Sequence, residues 1–351
     1  MSSEQRCLET TRYNIAMLRG DGIGPELIES ATCILNAIGA NSSVKFSLVY
    51  SEAGDNALIK FNKALPEFTL SAIRKSDACL KGPVGESAAD VILVIRRLFD
   101  LYANIRPVRA YPNTNSLQNN IDLVVVRENT EDLYLGWEFW SDEETVISLR
   151  RTSKKAIERI SQYAFKLAGL RNKQRKVSLV HKANVLKESD GLARRICSEV
   201  ALLNRDIKFE EMYVDACAMN LIRNPQDFDV IVTSNLFGDI ISDEAAQIVG
   251  GLGMGPAANI GNDFGVFEPV HGAAFDIQGK NVSNPTSILL STRLMLQWLG
   301  TKHNDKQAIL EGDRIEEAIV RMLVENKKTK DLGGTLTTKE FTRSVVSYLY
   351  M

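Results

Sequence analysis

Segments typical of buried strands and segments typical of amphipathic helices alternate along the whole chain. Strands are predicted at residues 13–18, 44–50, 77–80, 121–126, 176–180, 209–214 and 228–233. Helices are predicted at residues 25–38, 69–75, 88–101, 151–168, 187–203, 239–249, 284–299 and 312–325. This alternation predicts an α/β fold with helices packed on both faces of a sheet. No linker rich in Ser, Pro or Gly divides the 351 residues, so we expect two domains between which the chain crosses more than once.

The composition excludes several classes of protein. Lys and Arg number 42 against 44 Asp and Glu, which gives a formal net charge of −2 and no electrostatic case for nucleic-acid binding. No apolar run reaches the ~20 residues of a membrane-spanning helix, and residues 1–14 lack the apolar core of a signal peptide. The five cysteines, at positions 7, 33, 79, 197 and 217, show no metal-binding spacing and indicate reduced thiols. We therefore expect a cytoplasmic protein that binds neither a membrane nor nucleic acid.

Two carboxylates four residues apart give the sharpest local signal. Asp239 and Asp243 lie in the sequence FGDIISDEA, so a helix there would project both from one face. A solvated acidic face is the usual interpretation of such a pair. The alternative is a site for a divalent cation, which would remove the repulsion and use both groups as hard oxygen ligands. Asp215, which we expect at the end of a strand, could supply a third oxygen, and an all-carboxylate set favours Mg²⁺ or Mn²⁺.

Three arginines lie in or beside predicted strands and helices. Arg127 follows the apolar run 123–126, Arg106 precedes Pro107 and is therefore held in extended backbone, and Arg96 belongs to the helix predicted at 88–101. Each alone is typical of a structural salt bridge, but three near one acidic metal site would indicate a substrate with two carboxylates. Ile92 and Leu93 precede Arg96 by four and three residues, so they would form an apolar wall on its face of the helix.

Two stretches rich in small residues differ in what they predict. The sequence GDGIGPE at 20–26 departs from the dinucleotide fingerprint because its glycines run G-x-G-x-G and then meet Pro25. A structural strand-to-helix turn is the favoured interpretation. The stretch 267–287 combines small residues, which let backbone approach a ligand, with Asp276, which could accept hydrogen bonds from ribose hydroxyls.

Residues 134–150 are more apolar than a solvated loop should be, because two tryptophans and a phenylalanine fall within four residues. The two open interpretations are a hairpin packed on its own core and an arm that pairs with another subunit. Tyr134 and Lys182 give no local signal beyond that of a core aromatic and a surface charge.

Seven separated motifs together resemble the β-decarboxylating dehydrogenase family, which includes the 3-isopropylmalate, isocitrate, homoisocitrate and tartrate dehydrogenases. In chain order they are GDGIGPE, KGPVGESAAD, DLYANIRPVR, VVVRENTEDLY, HKANVL, NLFGDIISDEA and EPVHGAAFDIQGK. The resemblance covers essentially the whole chain. It implies a two-domain α/β fold that is not a Rossmann fold and has an intersubunit arm at about 134–150. The first domain would comprise residues 1–101 and 250–351, and the second, with the dimer interface, residues 102–249.

The resemblance also implies a role for individual residues. Arg96, Arg106 and Arg127 look like a clamp for the carboxylates of a malate, with Ile92 and Leu93 lining the pocket. Asp215, Asp239 and Asp243 look like the ligands of Mg²⁺ or Mn²⁺. Lys182, beside Asp215, resembles a general base, and Tyr134 resembles the acid that protonates carbon after decarboxylation. The residues similar to the NAD-binding ones of the family are Asn184, Gly253, Glu268, His271, Gly272, Ala274, Asp276, Ile277 and Asn284.

The activity that the resemblance implies is an NAD- and metal-dependent oxidative decarboxylation of a 2-hydroxy dicarboxylate, with 3-isopropylmalate as the expected substrate. Isocitrate or homoisocitrate is the alternative substrate, and a non-catalytic regulatory subunit of a hetero-oligomer is the alternative from another class. Family sites are shared across a dimer, so Lys182 and Asp215 would come from the partner subunit. We therefore expect a homodimer, or a tetramer built from it.

Overall fold

The computed structural model describes residues 11–351, so Cys7 lies outside the described residues. The described residues form twelve strands and eleven α-helices. The strands are β1 (Thr11–Leu18), β2 (Val44–Ser51), β3 (Ala78–Lys81), β4 (Ala103–Arg109), β5 (Asp122–Glu128), β6 (Glu138–Trp140), β7 (Val146–Ser148), β8 (Lys176–His181), β9 (Lys208–Tyr213), β10 (Val230–Thr233), β11 (Pro256–Ile260) and β12 (Gly265–Pro269). The helices are α1 (Gly24–Asn41), α2 (Asp55–Phe61), α3 (Glu67–Arg74), α4 (Asp90–Leu98), α5 (Lys154–Arg171), α6 (Ser189–Leu203), α7 (Val214–Arg223), α8 (Asn235–Gln247), α9 (Thr286–His303), α10 (Lys306–Val324) and α11 (Thr338–Tyr348). The predicted α/β fold is thereby confirmed.

The first of two compact units comprises, of the described residues, 11–91 and 265–351. Its strands lie in the order β2-β1-β3-β12, and each neighbouring pair is parallel. Residues 15–18 of β1 are completely buried. Helix α9 packs on β3 and β12, and helix α1 packs on β2. The buried positions of α1, from Leu27 to Ile38, recur every three or four residues, as expected for a helix with one face in the core.

The second unit comprises residues 92–264. Its strands lie in the order β11-β4-β5-β10-β8-β9. The pairs β11–β4 and β4–β5 are antiparallel, whereas the pairs from β5 to β9 are parallel. Residues 123–126 of β5 are all buried, which is the continuous apolar pattern of an interior strand. The domain boundaries at 101 and 249 that the sequence suggested stay predictions.

Several elements differ from their prediction. The helix predicted at 88–101 is shorter: a 3₁₀ turn occupies 86–88 and α4 ends at Leu98. The expectation that Asp215 ends a strand is wrong, because β9 ends at Tyr213 and Asp215 lies in the first turn of α7. Helical spacing of the buried Cys217 and Leu221 explains the switch from strand to helix. Strands β4, β11 and β12 and helices α2, α7 and α11 were not predicted.

Residues 137–149 form a hairpin in which, among the strands of residues 11–351, β6 and β7 pair only with each other. Its large apolar side chains are exposed: Trp140 is 67% accessible and Phe139 is 49% accessible. The interpretation of a hairpin packed on its own core is therefore wrong for the single chain.

None of the helices within residues 11–351 is both long enough and apolar enough to span a membrane.

Candidate active site

Helix α8 carries the two predicted metal-ligating carboxylates. Gly238, Ile241, Ser242 and Ala245 form part of its buried face. Asp239 and Asp243 each follow a buried position, so both lie along the edge of that face and on the same side of the helix. Their side chains are 34% and 50% exposed. The predicted helical placement of the pair is confirmed.

Two of the three predicted clamp arginines meet these carboxylates. Arg106 on β4 donates from Nη1 to Asp243 Oδ1 at 2.6 Å and from Nη2 to Asp239 Oδ1 at 3.1 Å. Arg127 on β5, which is 1% exposed, also donates from Nη1 to Asp239 Oδ1. The antiparallel pairing of β4 with β5 brings the two guanidinium groups to the same carboxylate.

The charges of this group shift the pKa of both carboxyls. Burial raises the pKa of Asp239, but Arg127 and Arg106 outweigh it, so the net shift is downward. The pKa of Asp243 is raised, because burial and the neighbouring Asp239 outweigh Arg106. Asp239 is therefore held as a carboxylate by its arginines, whereas Asp243 holds its negative charge less strongly.

Tyr134 joins the same group. Its hydroxyl donates to Asp239 Oδ2, and the guanidinium of Arg127 lies over its ring at 4.8 Å from the centroid. Burial, together with Asp239, raises the pKa of the phenol, so it remains protonated at neutral pH. The structure thus brings the predicted acid, two arginines and one predicted metal ligand into direct contact.

Three asparagines that the sequence analysis did not single out orient the arginines. Asn259 accepts from Arg96 Nε, Asn104 from Arg106 Nε and Asn235 from Arg127 Nε, each at 2.9 Å. Asn259 also accepts from the side-chain amides of Asn104 and Asn129. One buried donor, Nη2 of Arg127, has no hydrogen-bond partner within the described part of the chain. A buried guanidinium nitrogen without a partner is costly, and an anionic ligand oxygen would remove that cost.

Lys182 and Asp215 form a second, separate pair. Lys182 follows β8, as predicted, and its Nζ donates to Asp215 Oδ1 at 2.7 Å. This hydrogen bond is the first cause of a lowered pKa for Asp215. Within one chain, the residues from 11 to 351 contain no group of three His, Cys, Asp or Glu that could hold a metal ion. A single chain therefore does not bring Asp215 together with the carboxylates of α8.

Helix α4 carries the two residues that were predicted to form an apolar wall. Ile92 and Leu93 are half-buried on this helix, and Arg96, one turn further on, is 5% exposed. The neighbouring Arg97 has a different partner: its Nη2 donates to the backbone carbonyl of Tyr134 at 2.7 Å. The cation nearest in sequence to Arg96 is thus engaged with the backbone.

In the first unit, the GDGIGPE stretch is a turn that organises loops, as the structural interpretation predicts. Asp21 is fully buried, and its carboxylate accepts from the backbone N–H groups of Asp55, Asn56 and Gly85. Gly22 has φ +57°, and an added Cβ would lie 1.9 Å from the carbonyl oxygen of Ala273. Only glycine permits this approach.

The same turn supports the segment that holds most of the predicted cofactor residues. Ile23 donates its N–H to Ala273 O at 2.9 Å, and Glu26 accepts from Gly279 N at 2.7 Å. Asp276 and Ile277 lie in a 3₁₀ turn at 275–277, where Asp276 is exposed.

The other predicted cofactor residues differ in their surroundings. Glu268 on β12 forms a buried ion pair with Lys81 at 2.8 Å, and Asn284 donates to Asp331 at 2.9 Å. His271, Gly272 and Ala274 lie in the loop after β12, while Asn184 and Gly253 belong to the second unit.

A cavity of about 50 Å³ in the second unit adjoins the arginine cluster at Asn235, the partner of Arg127. Its walls include Ser161 and His181, whose Oγ and Nε2 have no hydrogen-bond partner within the described residues. The space suffices for a few water molecules, which such polar atoms can bind.

Residues 14–345 match the sequence profile of the isocitrate/isopropylmalate dehydrogenase family. The chain belongs to this family. It is 47% identical to the 3-isopropylmalate dehydrogenase of Saccharolobus solfataricus, over 96% of this chain and 99% of that protein. It is 40% identical to the homoisocitrate dehydrogenase of Methanocaldococcus jannaschii, over 95% of this chain and 97% of that protein. Among solved structures it resembles the isocitrate dehydrogenase of Methylococcus capsulatus, with a TM-score of 0.88 and 38% identity over 97% of this chain and all of that one.

Proposed function

We propose that this protein catalyses the oxidative decarboxylation of 3-isopropylmalate to 4-methyl-2-oxopentanoate, with NAD and Mg²⁺ or Mn²⁺, as a step of leucine biosynthesis. The observation that carries the proposal is the arginine cluster beside an apolar helix face. The cluster suits a dicarboxylate, and the relative of highest identity described above is named 3-isopropylmalate dehydrogenase.

The substrate's third substituent decides between the family's activities. Ile92 and Leu93, which are half-buried, would provide apolar contacts for this substituent. An isopropyl group gains about 0.8 kcal/mol per buried carbon, hence roughly 2.4 kcal/mol for three carbons, or on the order of 50-fold in binding. The extra carboxylate of isocitrate would be desolvated beside Ile92 without gaining a hydrogen-bond partner there, at a cost of several kcal/mol. Arg97 does not relieve that cost while it donates to the Tyr134 carbonyl.

The donor set on α8 fits a divalent cation. Asp239 and Asp243 present partly exposed carboxylate oxygens, which Mg²⁺ and Mn²⁺ prefer, and Asp215 of a second copy would be the third ligand. When bound, the cation would supply Lewis-acid polarisation of the substrate and NAD would supply a hydride acceptor.

The side chains of the protein would handle the two protons. Lys182, oriented by Asp215, takes the proton of the C2 hydroxyl, and Tyr134 gives a proton to C3 after loss of CO₂. Tyr134 carries this proton at neutral pH, because its pKa is raised above the already basic value of an ordinary phenol. Arg96, Arg106 and Arg127 bind the carboxylates and fix the substrate between the two groups.

The segment 268–284 would bind NAD. Asp276 can accept hydrogen bonds from the ribose hydroxyls, whereas the 2′-phosphate of NADP would meet it as a like charge. The exposed position of Asp276 in its turn suits such contact. The remaining members of the proposed set are Asn184, Gly253, Glu268, His271, Gly272, Ala274, Ile277 and Asn284.

A homodimer would complete the site. In one chain Lys182 and Asp215 do not join Asp239 and Asp243, and the hairpin at 137–149 exposes apolar side chains that a second chain could cover. The test mixes Lys182→Met chains with Asp239→Asn chains. Each is inactive alone, while random pairing restores about a quarter of the wild-type sites. Mixtures as inactive as their components would exclude a shared site.

One substrate panel tests the activity itself. NADH formation is followed with 3-isopropylmalate, isocitrate, homoisocitrate and malate, and 3-isopropylmalate should give the highest kcat/KM. The variant Ile92→Asn with Leu93→Ala should lower that value about tenfold or more. Val94→Asn, at an exposed position of the same helix, is the matched control and should change little. Faster turnover of isocitrate or homoisocitrate would show that it is the substrate. If none of the four compounds is turned over, the alternative of a non-catalytic regulatory subunit is favoured.

A further inference from the structure

Arg150 bridges two buried carboxylates in the second unit. Its Nε donates to Asp132 Oδ1 at 2.7 Å, and its Nη1 donates to Asp190 Oδ1 at 2.6 Å. The side chain of Arg150 is 15% exposed, and those of the two aspartates are 3% and 4% exposed. Its guanidinium also lies 5.3 Å from the ring centroid of Phe237 on α8. Removing one member of such a buried, charged group leaves the others uncompensated.

Asp190 holds the segment that carries Lys182. The second oxygen of Asp190 accepts from the backbone N–H of Lys182 at 2.7 Å. Asp190 therefore has one oxygen on Arg150 and the other on the backbone of the proposed base.

Asp132 holds the segments that carry Tyr134 and Asp239. Asp132, two residues before Tyr134, accepts through Oδ2 from Leu236 N in the first turn of α8, at 3.0 Å. Its Oδ1 also accepts from Leu133 N at 3.0 Å. The backbone of Asp132 is left-handed, with φ +72°, a conformation that persists only where the surroundings enforce it.

We propose that Arg150 is a positioning residue that fixes the segment of the proposed base, which would serve the site of the partner subunit, relative to the segments of the proposed acid and of helix α8, which would serve the site of the same chain. One cation thereby joins Lys182, through Asp190, to Tyr134 and Asp239, through Asp132. The inference rests on the proposed roles of Lys182 and Tyr134. Because Arg150 itself touches none of these three side chains, its loss acts on their placement and not on their chemistry.

Arg171 provides a matched control. It is also 15% exposed and also bridges two carboxylates, Asp122 and Asp229, each at 2.9 Å. Asp122 begins β5, five residues before Arg127, and Asp229 directly precedes β10, so neither aspartate lies next to Lys182, Tyr134 or Asp239 in the chain. Arg150→Met and Arg171→Met each remove a guanidinium that bridges two aspartates of the same unit, and only the first should disturb the site. The partners of Arg171 are less dependent on it, since Asp122 is 25% exposed and also pairs with Lys173.

Steady-state kinetics of the dimeric enzyme with 3-isopropylmalate give the first readout. Arg150→Met should lower kcat by about 10- to 100-fold with KM within about twofold, since small displacements of catalytic groups cost this much. Arg171→Met should keep kcat within about twofold. Arg150→Lys, which keeps the charge but not the planar fork, should lie between wild type and Arg150→Met. It also serves as the test variant if Arg150→Met does not fold.

Hydrogen–deuterium exchange gives a readout that needs no activity. Arg150→Met, or Arg150→Lys, should speed exchange both at 182–186 and at 235–238, and Arg171→Met should speed it at neither. Equal kcat in the Arg150 and Arg171 variants, or unchanged exchange at both segments, would overturn the proposal. If the wild-type enzyme turns over none of the panel substrates, the proposed function fails, and the exchange comparison alone decides whether Arg150 couples the two segments.

Discussion

Gly238 is the position where a single methyl group should damage the site most directly. This residue lies on the buried face of α8, beside Asp239. A Cβ added there would lie 2.6 Å from Arg127 Cγ and 2.7 Å from Arg127 Cβ. It would also lie 3.1 Å from Thr233 Cγ2. These atoms are near the backbone of buried strands, so they cannot move aside as the end of a flexible side chain could.

The expected magnitude follows from two opposing terms. Replacing glycine by alanine inside a helix gains about 1 kcal/mol of stability. Inserting a carbon into a closely packed core costs about 1–3 kcal/mol, because either α8 or Arg127 must shift. The net loss in the free energy of unfolding is therefore about 0–2 kcal/mol. A shift of Arg127 relative to Asp239 and Tyr134 should cost on the order of 100-fold in kcat/KM.

The assay compares Gly238→Ala with Gly191→Ala. Gly191 lies in α6, and a Cβ added there meets no atom within 4 Å. This control should gain up to about 1 kcal/mol in urea unfolding and keep its kcat/KM. The reasoning is refuted if Gly238→Ala retains wild-type kcat/KM for 3-isopropylmalate, because the methyl group would then fit without displacing Arg127.

Three further outcomes are expected. EDTA should abolish turnover and Mg²⁺ or Mn²⁺ should restore it, with Asp243→Asn requiring about tenfold or more metal; full activity of that variant in EDTA would contradict the metal assignment. NAD⁺ should give a higher kcat/KM than NADP⁺, and Asp276→Lys with Ile277→Tyr should shift the preference toward NADP⁺; an unchanged ratio in the double variant would count against this cofactor site. Asp21→Asn should lower the free energy of unfolding by about 1–3 kcal/mol in a urea titration, since its buried carboxylate accepts three backbone hydrogen bonds. An unchanged urea midpoint would show that these bonds do not depend on the charge.

Local patterns in the sequence were sufficient to predict where a residue lies when its position depends on a single helix, strand or turn. The helical placement of Asp239 and Asp243, the position of Lys182 after β8 and the turn at Pro25 all follow from spacing within one segment. The buried run of β5 likewise placed Arg127 in the core.

The contacts between elements could not be predicted in this way. Strand β4 was missed because Pro107 lies in its middle, and proline weakens any prediction of a strand. The pairing of β4 with β5, which brings Arg106 to Arg127, depends on residues far apart in the chain. Asn259 lies in the short strand β11 between glycine-rich turns, and nothing in its local sequence marks it as a partner of Arg96.

The asparagines explain how so many charges can be held in one buried place without neutralising one another. Each proposed clamp arginine is fixed through Nε by an amide oxygen at 2.9 Å, from Asn259, Asn104 or Asn235. An amide fixes the plane of the guanidinium but adds no negative charge, so the arginine keeps its full charge for a ligand. A carboxylate at the same place would orient the group equally well but would weaken its attraction for an anionic substrate. Where carboxylates do contact the arginines, at Asp239 and Asp243, they meet the Nη atoms instead. Orientation and charge are thus supplied by different partners on different edges of the guanidinium group, an arrangement that suits the proposed binding of a dianion beside a cation.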